Sequence, residues 1–249
     1  MKNTILVGAI AAAATLASAG NVKPDVIFGS GNANGGFTVT ESNNIEIGMR
    51  GKLRYNSSGS PENTFNYDGG STYTFNPNDS ANPANRSLFN FEFSVNTDVN
   101  DPTNSGNNIN DFTYMLTVSR LNDNGMGTTE LFAFDPFNSV NPGNGEVLWD
   151  HAMGDNSTGN GNGAEATDAT NYASLLASSN VIQQSWNLGF FFANPDIDGT
   201  FFVSLEAFDG MTTVASNDIT INVVPVPTAA LAGLGLLGVL GGARVIRRR

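Results

Sequence analysis

The 249-residue sequence has no cysteine, a single histidine and few cations. Without cysteine there is no disulfide and no thiolate metal site, so the fold must hold by packing alone. With His151 standing alone, zinc sites built from histidine clusters are excluded as well. The cations are also unevenly placed. Lys2 and the arginines Arg244, Arg247, Arg248 and Arg249 sit at the two ends, which leaves six basic residues in the interior of the chain against all 23 acidic ones. Six against 23 gives that interior a net charge of −17, and no Lys or Arg occurs between Arg120 and Arg244. Such a surface repels phosphate backbones and anionic lipids, so nucleic acid is not expected as a partner.

Long apolar runs are scarce too, and the two that exist lie at the ends. Lys2 precedes an uncharged stretch at residues 5–16, followed by Ala17-Ser18-Ala19. A positive start, a short apolar run and a small-x-small tripeptide predict a signal peptide over residues 1–19, cleaved by signal peptidase after Ala19. The alternatives are a buried N-terminal helix or a membrane anchor, but the run falls short of the about 20 residues a span needs.

At the other end, Val224-Pro225-Val226-Pro227 stops any strand or helix, because proline lacks the N–H that a ladder needs. Residues 229–243 are Ala, Leu, Gly and Val alone, and Arg244, Arg247, Arg248 and Arg249 close the chain. The positive-inside bias would hold those arginines in the cytoplasm and place the folded part outside. A permanent anchor is the rival reading. Five glycines in the segment weigh against it, each costing about 1 kcal/mol of helix propensity.

The Val-Pro-Val-Pro-Thr motif at residues 224–228, the Gly/Leu/Ala stretch and the arginine tail together resemble the PEP-CTERM sorting domain. That resemblance covers residues 224–249, and Pro225-Val226-Pro227 stands where the family carries Pro-Glu-Pro. It implies transient membrane insertion of a C-terminal helix and processing near the proline motif by an exosortase, a membrane cysteine transpeptidase-like enzyme. Delivery to the cell surface or to an exopolysaccharide-rich matrix would follow.

Between the ends, apolar and polar residues alternate in short runs, with 34 asparagines and 28 glycines to turn the chain. Strands are predicted over residues 36–40, 44–55, 64–75, 88–95, 112–121, 130–134, 146–149, 185–192, 200–208 and 218–224. The third is bent into a hairpin at Asp68-Gly69-Gly70. Phe89, Phe91, Phe93 and Val95 share one face, with Asn90, Glu92 and Ser94 opposite. Residues 168–178 read as the one helix, capped by Asp168. The expected fold is therefore all-β: an antiparallel β-sandwich, jelly-roll-like or Ig-like, forming one domain over residues 20–223. Residues 184–208 are similar to the C-terminal half of other PEP-CTERM proteins, which implies Phe202 and Leu205 as core residues.

No constellation amounts to a catalytic site. Asp150-His151 invites a Ser/His/Asp hydrolase, but there is no Gly-x-Ser-x-Gly elbow, and no pair of acids is singled out for glycoside hydrolysis. In Asn194-Pro195-Asp196-Ile197-Asp198-Gly199-Thr200, Asp196 and Asp198 are candidate calcium ligands, against the plainer reading of an Asx-rich turn. Trp149 and Trp186 are candidates for stacking on sugar rings, against core packing. The expected function is a non-enzymatic surface or matrix component. The alternatives are a carbohydrate-binding module, with or without a calcium-stabilised loop, and a secreted hydrolase.

Overall fold

The computed structural model describes residues 18–27, 32–100, 106–138, 150–193, 195 and 198–224. Most of the signal-peptide stretch, the strand expected at 146–149 with Trp149, Asp196, and the segment from Pro225 through the arginine tail lie outside these residues. Among the described residues no helix is long and apolar enough to cross a membrane.

The fold is all-β and is built from two sheets. The strands are β1 (Ser18–Gly20), β2 (Phe37–Ser42), β3 (Ile45–Tyr55), β4 (Pro61–Thr64), β5 (Thr72–Phe75), β6 (Phe89–Asn96), β7 (Thr113–Leu121), β8 (Thr128–Phe134), β9 (Ala152–Gly154), β10 (Val181–Asn187), β11 (Gly199–Asp209) and β12 (Thr212–Val223). The larger sheet runs β1-β2-β3-β6-β10-β9, with β4 also paired to β3, and the smaller runs β5-β12-β11-β7-β8. All pairs are antiparallel except β12 with β5, which is parallel. β1 spans the expected cleavage position, pairing Ser18 with Val39 and Gly20 with Phe37.

Strict alternation decides what each strand buries. β6 sends Phe89, Phe91, Phe93 and Val95 inward, and β12 sends Ile219, Ile221 and Val223 to meet them from the smaller sheet. The rings of Phe89 and Phe201 meet across this core with centroids 4.8 Å apart. At Gly51 a Cβ would stand 3.1 Å from the side chain of Ile221, so the absent side chain is what lets β3 approach β12. One seam joins the sheets by hydrogen bonds. The buried Asn217 amide on β12 donates to the carbonyls of Thr38 and Ile47, at 2.8 and 2.7 Å, and Thr40 Oγ1 donates to Ser216 O at 2.7 Å.

Helix α1 (Ala169–Leu176) starts where Asp168 caps it, its side chain accepting from Asn171 N. Two expectations need correction. Phe202 is not core: β11 turns Phe201, Val203, Leu205 and Ala207 inward, and period two leaves Phe202 on the outer face, 37% exposed. The strand expected at 185–192 begins earlier, at Val181, and gives way to a 3₁₀ turn at Leu188–Phe190, because Asn187 caps that turn by accepting from Gly189 N.

These two neighbouring phenylalanines give a direct test of the alternation. Phe201→Ala should cost about 3–5 kcal/mol in urea unfolding, as for other buried aromatics. Phe202→Ala should cost about 1 kcal/mol or less.

Candidate functional site: a polar ladder on the outer face of the larger sheet

Apart from Gly48 and Val181, the residues that face away from the core on β3, β6 and β10 are polar, and most are buried. Arg50 lies opposite Glu92 and Glu92 opposite Ser185; Lys52 lies opposite Asn90 and Asn90 opposite Asn187. Arg50, Lys52 and Glu92 have fully buried side chains, and Glu92 pairs with both cations. Burial lowers the pKa of both Arg50 and Lys52, and the Glu92 carboxylate opposes that shift. The Arg50 guanidinium also lies between two rings, its Cζ 3.9 Å from the Phe37 centroid and 4.0 Å from that of Phe65. It donates as well to Ala33 O, so the chain before β2 folds over this face.

Toward the end of β10 the ladder becomes a network of amides. Asn187 Nδ2 donates to Ser87 O, Phe89 O and Asn90 Oδ1 at 2.9–3.0 Å, while its Oδ1 accepts from Ser87 N and Gly189 N. Asn90 Nδ2 donates in turn to Ser185 Oγ at 3.1 Å. These bonds fix the entry to β6 against the exit from β10. A Cβ on Gly189 would run into Asn85 O and come within 3.0 Å of Arg86 Cα, so glycine is what lets the 3₁₀ turn sit against the loop that carries Arg86. Beside this network an open cleft of about 210 Å³ is lined by Arg54, Arg86, Tyr55 and Phe190 over a floor of Asn90, Ser185 and Asn187.

The residues singled out by sequence fall elsewhere. Trp186 is 1% exposed, with the rings of Phe93, Phe134, Phe191 and His151 at 5.1–5.9 Å. Its faces are enclosed by other rings, so it packs the core and offers no platform for a sugar. His151 is fully buried in the same aromatic cluster, 5.5 Å from Phe137 and 5.8 Å from Tyr172. Asp150 accepts from Gln184 Nε2 at 2.7 Å. Asp198 is exposed at the start of β11. Among the described residues no group of three or more His, Asp or Glu side chains is placed to hold a metal ion. Val224 continues from β12, its N–H donating to Phe75 O at 3.0 Å.

Arg54, Arg86 and Ser185 were not visible as a site in the sequence. They lie far apart along the chain and form no motif. Their one available signal was that they hold two of the six interior cations and a polar position on an outward strand face.

Two tests address this face. Glu92→Gln should leave two buried cations facing a neutral amide and cost about 3–5 kcal/mol in chemical unfolding. Glu46, buried at the start of the ladder, accepts from Lys23 N at 2.6 Å, and burial raises its pKa from 4.5 to about 7. A carboxyl raised in the folded state binds its proton more tightly there, so its contribution is present below pH 4.5 and is lost as pH rises through 7. Glu46→Gln should therefore gain stability relative to the parent between pH 5 and pH 7.5, read as the difference in urea midpoint.

No protein-family model matches the chain, and no curated protein matches it.

Proposed function

We propose that this chain is an exported, non-enzymatic interaction protein of the cell surface or extracellular matrix, carried there by its two terminal signals. In this reading residues 1–19 are removed by signal peptidase. An exosortase-like enzyme then processes the region of Val224, Pro225, Val226 and Pro227, while Arg244, Arg247, Arg248 and Arg249 hold the transiently inserted helix at the cytoplasmic side. The unit left outside would be a single acidic β-sandwich of jelly-roll-like or Ig-like type, with two sheets sharing one core.

The observation that carries the proposal is the matched pair of ends. Each is a charged or proline-marked boundary beside a short apolar segment, and both orient the interior to the same side of a membrane. The placement of Val224 supports it. The last strand among the described residues, β12, ends at Val223, immediately before the proline motif. Carbohydrate binding is the second reading, and the cleft with Arg54 and Arg86 favours it over stacking on Trp186.

Intact-mass spectrometry of the protein from its native cells, fractionated into membrane, surface and medium, tests the sorting. The expected species lacks residues 1–19 and those beyond the Pro225-Val226-Pro227 motif, and appears at the surface or in the medium. A chain that retains its arginine tail in the membrane fraction would overturn the proposal.

A further inference from the structure

The interior of the chain has six cations, and four of them face a carboxylate. Arg50 and Lys52 share Glu92, Lys23 lies 3.9 Å from Glu41, and Arg120 lies 2.8 Å from Asp123. Arg54 and Arg86 do not: neither has a carboxylate oxygen within ion-pair distance among the described residues. In a region with a net charge of −17, those two guanidiniums line the same cleft. Acids are plentiful enough that any exposed cation could find one, so leaving two of them together without an acid marks a place prepared for an anion from outside.

A buried charge group lies on the same strands, β3 and β6, that carry Arg54 and Asn90. Glu92 neutralises one of the two buried cations beside it and leaves the Arg50–Glu92–Lys52 group with a net positive charge, in a setting that water screens poorly. Arg86 is also held in place: its Nη1 donates to Asn85 O and Gly189 O, at 3.2 and 3.3 Å, and its Cζ lies 4.9 Å from the Phe190 ring centroid. Those bonds use one terminal nitrogen and leave the other edge of the fork for a planar oxyanion, the geometry in which guanidinium binds carboxylate best.

The rest of the lining describes what the anion is attached to. Phe190 is 41% exposed and Tyr55 half-buried, giving apolar surface at the rim. On the floor, Ser185 Oγ accepts from Asn90 and keeps its own proton to donate. Two forks for a carboxylate, a hydroxyl donor on the floor and aromatic surface at the rim suit a carboxylated sugar ring. We infer that the Arg54–Arg86 cleft binds the uronate units of an acidic polysaccharide. This concerns the folded region alone, so a chain shown not to be sorted would leave it standing.

The test is calorimetric titration of the purified full-length protein in detergent with an oligogalacturonate. A neutral galacto-oligosaccharide of the same length, oligoglutamate and inorganic sulfate serve as comparison ligands. The oligogalacturonate should bind, weaken as salt rises, and outcompete all three. Arg54→Gln and Arg86→Gln should each lower its affinity at least about tenfold with an unchanged melting temperature. Phe190→Ala keeps both cations and should weaken the uronate by a larger factor than it weakens any response to sulfate. No binding, or binding that survives the Arg54→Gln/Arg86→Gln double variant, overturns the inference. So does equal affinity for oligoglutamate or sulfate, which would mean that the cleft reads charge without reading a sugar.

Discussion

Glu92 sits between Arg50 and Lys52 with all three side chains out of reach of water. Removing three charges from water is expensive, and their mutual attraction offsets the cost only while each stays opposite its partner. The pairing therefore acts on register. A one-residue slip of β3 along β6 would turn every side chain to the other face and drive these charges into the core. With Arg50 opposite Glu92, Met49 falls opposite Phe93 and Gly51 opposite Phe91, which places the gap at Gly51 under Ile221. The apolar fit between the sheets and the polar ladder outside are two faces of a single alignment.

The same ladder explains why the outer face of the larger sheet can be buried without being apolar. Its central positions are a charge group and a set of amides that bond one another and the backbone. Asn187 satisfies three acceptors and two donors, and four of these five bonds tie the 87–90 segment to β10. Aliphatic residues at these positions would pack but would orient nothing. The amides instead hold Ser185, and through Gly189 the Arg86 loop, in fixed places at the edge of the cleft.

Much of the fold was legible because alternation is a local signal. The run from Phe89 to Val95 predicted β6 and its two faces, Asp168 predicted its helix, and Asp68-Gly69-Gly70 predicted the turn that brings Tyr67 back to Tyr73. Other parts were hidden for physical reasons. The first half of β12 is built from Thr, Val, Ala, Ser and Asn, and Asn217 is buried there because two carbonyls of the other sheet receive its amide. That partnership is invisible from residue type. Sequence assigned Trp186 both of its common roles, and only the rings of Phe93, Phe134, Phe191 and His151 around it choose between them. The cleft was the least legible feature, since it depends on which cations meet an acid, a property of tertiary placement.

The position of β12 gives the fold a mechanical character. It is hydrogen-bonded along its length to β11 on one side and, near its end, to β5 on the other, and Val224 still bonds Phe75 beyond the strand. A load applied at Val224, as when a chain is held by its C-terminal end in a flowing or shearing medium, would run parallel to β12. Bonds on both sides would then resist together in shear, whereas an edge strand peeled from its tip would open them one at a time. Loaded along its own axis, β12 would be held by both of its neighbours at once.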